Sequence, residues 1–242
     1  MTWEEWDVPG PQPKYDQFGY GGCLVGCGPV AWAMLFCWAD IQAGSGNPYW
    51  TESWGLYRQN GDYGTDVVAP TSQDAGVENV IRQIHNAVGT FCMGASGATW
   101  PWNMGDAAKY LSGRTGAWLD TEYDHFGRDC DDCHDWAIDS IVNRRTPAVI
   151  GTGWLNHYPM ATAYARQTRI VRLKWGSFSF NMYVTDEVFY VNNGWGGAGN
   201  EWVDAGTWFV GELHPQAALA GGTVRHDRPE RTARPGDRWN TP

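Results

Sequence analysis

Gly26-Cys27-Gly28-Pro29-Val30-Ala31-Trp32-Ala33-Met34 sets a cysteine between two glycines at the head of a near-continuous apolar run. The run continues to Ala39, and Pro29 suits a first helical turn, where no amide donor is required. A buried helix is therefore expected to begin at Cys27. The unsatisfied amides and positive dipole end of such a helix lower the pKa of a thiol placed there. The same amides, that of Cys27 included, can donate to a developing oxyanion, and the flanking glycines let a substrate backbone come close. A cysteine at a helix start is by itself more often structural than catalytic, so the rest of the chain decides.

Outward from this helix, the first half of the chain reads as helix and loop. Residues 3–22 are rich in Pro, Gly and aromatics and form an extended strap leading to Cys27. Residues 44–70 show little periodicity and read as loop. Ser72 caps a second helix carrying Val77, Val80, Ile81, Ile84 and Val88 at helical spacing. Further helices are expected over 104–111 and 132–144, the latter with Trp136, Ile138, Ile141 and Val142 as its apolar side.

The texture then changes to β-rich runs at 148–152, 158–165, 169–175, 178–184, 188–193 and 207–210. Helices followed by strands, rather than alternating with them, predict an α+β domain: an N-terminal helical half, then a C-terminal antiparallel sheet half. The domain is expected to span 1–221. Residues 222–242 mix Arg, Pro, Asp and Glu, bury too little apolar area to fold, and read as a disordered tail or linker.

A formal charge of −10 argues against a nucleic-acid partner, which calls for a basic face. Five of the 17 basic residues, Arg225, Arg228, Arg231, Arg234 and Arg238, fall in the tail, so the body is more acidic still. No stretch approaches the roughly 18 apolar residues of a membrane span. Sixteen Trp and 31 Gly suit bulky core fillers among tight turns, or a surface that stacks on peptide or sugar.

Of the six Cys, Cys27 must stay a thiol to react, and Cys37 falls inside the apolar helix as a small buried hydrophobe. Cys23, Cys92, Cys130 and Cys133 remain as bridge partners, which suits an extracellular or cell-surface protein. Cys130-Asp131-Asp132-Cys133-His134 also spells the haem-attachment signature and half a zinc site. Zinc lacks an obvious fourth ligand nearby, so a local disulfide or free Cys pair is favoured, with no metal and no cofactor expected.

Among the six His, His157 stands out. It follows the apolar run Pro147-Ala148-Val149-Ile150-Gly151 and opens Tyr158-Pro159-Met160-Ala161-Thr162-Ala163-Tyr164. A His at a strand start beside a helix-borne thiol can take the thiol's proton and return it to a leaving amine. Phe189-Tyr190-Val191-Asn192-Asn193-Gly194-Trp195-Gly196-Gly197 then supplies an amide pair and a Gly-Trp-Gly turn. An Asn there could orient the imidazole while Trp195 shields that contact from water.

Together these three segments resemble the papain superfamily, nearest to the bacteriocin-leader-processing and streptopain-like cysteine peptidases. Residues 26–34 look like the nucleophile motif, 146–164 like the strand-His-strand arrangement, and 191–197 like the Asn-Ser-Trp-Gly and Asn-Trp-Gly-Trp-Gly motifs. The separation of Cys27 from His157 lies in the roughly 130–150 residues of papain-type enzymes. The resemblance implies a papain-like fold with the cleft between its halves, and a peptide or protein as substrate. It assigns Cys27 as nucleophile, His157 as acid and base, and Asn193 as orienting residue, with Asn192 the alternative register. Papain's oxyanion Gln stands six residues before its nucleophile, where this chain has Gly21; Gln17 is the nearest candidate. The same triad also serves acyl transfer or deamidation, and the scaffold could be a non-catalytic binding or structural module, the 222–242 tail attaching it to a further domain or assembly.

Overall fold

The computed structural model describes residues 2–47, 50, 75–111, 118–124, 130–153, 157–176 and 178–215. Ser72, most of the 44–70 loop and the 222–242 tail lie outside them. The elements in chain order are β1 (Glu4–Asp7), β2 (Gly19–Tyr20), β3 (Cys23–Leu24), α1 (Cys27–Gly44), α2 (Ala75–Ala87), β4 (Phe91–Met93) and β5 (Ser96–Ala98). After them come α3 (Pro101–Met104), a 3-10 turn (Gly105–Ala107), α4 (Ala108–Leu111), β6 (Trp118–Tyr123) and α5 (Asp131–Val142). The remaining strands are β7 (Ala148–Gly151), β8 (Met160–Trp175), β9 (Phe178–Asn192), β10 (Glu201–Asp204) and β11 (Phe209–His214).

The fold is α+β. An antiparallel sheet runs in the order β10-β9-β8-β7-β11-β6, and β1 pairs with the part of β8 that the shorter β7 leaves free. The division into halves is not strict, because β1 and β6 come from the first half and join the sheet. The expected strands 158–165 and 169–175 are one strand, β8, and 178–184 and 188–193 are one strand, β9. The polar breaks between them are paired, Arg166 with Glu187, Gln167 with Asp186 and Thr168 with Thr185, so they mark where a long hairpin leaves the core.

α1 is buried from Gly28 to Gln42, which an apolar run on every face requires. Its Phe36 stacks on Tyr110 of α4, and α2 sets Val77, Val80, Ile81 and Ile84 into the same core. α5 turns Cys133, Ala137, Ser140 and Ile141 inward, while Trp136 and Ile138 stay half-buried, one step round the helix from the expected face.

Cys23 bridges to Cys92 and Cys130 to Cys133, while Cys37 is a free buried thiol. The second bridge spans the start of α5, where Cys130 Sγ accepts from the Cys133 N–H at 3.1 Å. Both sulfurs are thereby occupied, leaving neither a haem thioether nor a zinc thiolate. Among the described residues no helix is long and apolar enough to cross a membrane.

Candidate active site

Cys27 is the first residue of α1, after Gly26 at φ +96°. That left-handed conformation favours glycine and turns the chain from the strap into the helix. Gly97 of β5 abuts this corner: a Cβ there would lie 2.4 Å from the Leu24 carbonyl oxygen and 2.8 Å from the Gly26 nitrogen. The β4–β5 hairpin thus walls one side of the thiol. Beyond it Trp100 and Trp102 stack at 5.0 Å and Phe91 stacks on Trp100 at 5.5 Å, giving an exposed aromatic shelf.

Tyr158 brings the opposite wall to the sulfur. Its N–H donates to Cys27 Sγ at 3.4 Å, its hydroxyl donates to the Thr99 carbonyl at 3.0 Å, and its ring packs edge-on against Trp208 and Phe209. Burial pushes the Cys27 pKa up, opposed in part by N–H groups of Tyr158, Gly28 and Cys27 itself. The residue is partly buried as a whole, and the N–H groups of Tyr158, Gly28 and Cys27 itself face its sulfur.

His157 immediately precedes Tyr158 and forms an isolated bridge with Thr152 at the end of β7. Burial lowers its pKa, and hydrogen bonding to the side chain and backbone of Asn193 works the other way. Its Nε2 is buried without a hydrogen-bond partner, and it is not hydrogen bonded to the thiol. Trp195 lies over the imidazole with ring centroids 5.4 Å apart. Both shifts are in the direction that favours the neutral form, thiol for Cys27 and imidazole for His157.

The amide pair divides its duties. Asn193 meets His157 and donates through Nδ2 to the Gly199 carbonyl at 2.6 Å, which fixes its side chain. Asn192 donates to the Pro13 carbonyl at 2.7 Å and accepts from the Gly194 N–H at 3.1 Å, tying the turn to the strap. A Cβ on Gly194 would lie 2.9 Å from Val30, so this turn rests directly on the first part of α1.

Gln17 reaches the same corner through a hairpin. β2 and β3 pair Gly19 with Leu24 and Tyr20 with Cys23, and the Val25 N–H donates to the Phe18 carbonyl at 2.9 Å. One further step of this register sets Gln17 opposite Gly26. The hairpin accounts for the ten-residue spacing to Cys27, and Asp16 bridges Trp195 beside it.

Two contributors carried no signal in the sequence. Tyr158 acts through a backbone N–H that any non-proline residue could offer. His85 on α2, which looked incidental, holds the Val25 carbonyl through Nδ1 at 2.9 Å and packs edge-on against Tyr20, fixing the strap ahead of Gly26. Among the described residues no cluster of three or more His, Cys, Asp or Glu could hold a metal ion. The chain matches no protein-family model, no curated protein and no solved structure.

Proposed function

We propose that the chain is a papain-like cysteine peptidase that cleaves peptide bonds through an acyl-enzyme. The observation that carries this reading is the Tyr158 N–H on Cys27 Sγ, which ties the His157 segment to the N-terminus of α1 while Asn193 holds the imidazole. The imidazole of His157, whose Nε2 is buried without a hydrogen-bond partner, takes the thiol proton. The sulfur then bonds to the scissile carbonyl carbon, and the carbonyl π pair moves onto oxygen. Amides of Cys27 and Gly28 face that oxyanion, with Gln17 as the side-chain donor. Collapse expels the amine, which takes the proton from His157; water then cleaves the thioester by the same steps in reverse order. The two disulfides fit an extracellular or cell-surface setting.

An epoxysuccinate thiol inhibitor tests the proposal. Under mild reducing conditions it adds one equivalent to the intact protein, mapped by peptide mass to Cys27; an unlabelled Cys27 sinks the enzyme reading.

The pH profile follows from the imidazole. Proton abstraction needs neutral His157, and burial lowers its pKa from the ordinary 6.5. The acid limb of kcat/KM is therefore expected below pH 6.5. An acid limb above that value would show that the imidazole is stabilised as a cation instead.

A further inference from the structure

β8 and β9 continue past the sheet as a two-stranded ribbon whose register sorts its side chains. Directly opposed residues share a face. The pairs Val171–Met182, Leu173–Phe180 and Trp175–Phe178 put six apolar side chains on one face. The other face carries the Ile170–Tyr183 pair nearer the sheet and then Arg172, Asn181, Lys174 and Ser179 toward the tip, with the Arg172 guanidinium donating to Ser179 at 2.9 Å. Exposure of the apolar face is greatest at the end, 82% for Trp175 and 78% for Phe178, flanking Gly176. A lone two-stranded ribbon is marginal in water, and an unpartnered apolar face adds to its cost.

Charge identifies what covers it. Residues 168–185 contain Arg169, Arg172 and Lys174 and no acidic residue, in a chain of net charge −10. The nearest acidic residue, Asp186, pairs with Arg169 at 2.9 Å and stands opposite Gln167. From that pair to Trp175 the ribbon runs about 27 Å at strand rise. This exceeds two Debye lengths of about 8 Å at physiological salt, so a surface meeting the tip experiences the local cations and little of the acidic body.

We propose that the tip of the β8–β9 ribbon is a membrane-docking element for an anionic lipid bilayer. Trp175 and Phe178 enter the interface, where amphipathic aromatics concentrate, and Arg172 and Lys174 meet the headgroup phosphates. Docking is peripheral and crosses nothing.

Co-sedimentation of the full chain with phosphatidylcholine vesicles, with and without phosphatidylglycerol, tests the assignment. Binding is expected to be about thirtyfold tighter to the anionic vesicles, from roughly 1 kcal/mol for each of Arg172 and Lys174, and to weaken with salt. The double variant W175S/F178S, checked for folding by circular dichroism, is expected to lose at least about a hundredfold in affinity. R172Q/K174Q is expected to erase the preference for anionic lipid while retaining weak partition. Equal binding to neutral vesicles, or an unaffected W175S/F178S, overturns the proposal. So does a dimer in sedimentation velocity that W175S/F178S dissolves without any vesicle binding.

Discussion

Cys27→Ala is expected to abolish peptide hydrolysis, lowering kcat by on the order of 10^4- to 10^6-fold, the range seen when a nucleophile or base is removed from a triad. The side chain is small, and its Sγ accepts one long bond from Tyr158, so the fold should survive the change. His157→Ala should cost a similar amount, and the double variant little more than either, because the two groups act on one proton. Adjacent asparagines then separate positioning from structure. Asn193→Ala should lower kcat with KM little changed, the outcome expected of the proposed role in orienting the imidazole. Asn192→Ala should act on the melting temperature, losing about 1–3 kcal/mol as the Pro13 carbonyl and Gly194 N–H lose partners. Steady-state kinetics with thermal melts reads all five variants. Full activity in Cys27→Ala would remove the mechanism.

What sequence made legible is what local chemistry controls. The helix at Cys27 could be read because its apolar run, glycines and Pro29 are contiguous and its burial has no polar face to confuse the pattern. The ends of β8 and β9 could not. Arg166 to Thr168 and Thr185 to Glu187 look like turns, yet they are polar because the hairpin departs from the core there while its ladder continues. β6 escaped notice because it gains its place only by pairing with β11, far along the chain. The same distance problem hid His85, whose partner carbonyl belongs to Val25. Between Gln17 and Cys27 the chain folds back as the β2–β3 hairpin, a geometry that spacing could not convey.

The bridge between Cys23 and Cys92 should be the largest single contributor to stability among the covalent links. It closes a sequence separation of 69, for which the chain-entropy account gives about 4 kcal/mol; the separation of 3 between Cys130 and Cys133 gives about 2. Cys23→Ser with Cys92→Ser is therefore expected to lower the melting temperature by roughly 10–15 °C, taking about 2–4 °C per kcal/mol for a chain of this size. The Cys130→Ser, Cys133→Ser pair should lower it by about half as much. The first bridge also has a functional consequence that the second lacks. Cys23 lies on the β2–β3 hairpin that carries the strap to Gly26, and Cys92 on the β4–β5 hairpin whose Gly97 abuts Gly26. Cutting it loosens both hairpins that meet at Gly26 at once, so activity should fall with temperature well before global unfolding. Calorimetry alongside an activity ramp makes the comparison. Coincident loss of activity and structure in the Cys23, Cys92 variant would show that the two hairpins are held by packing alone.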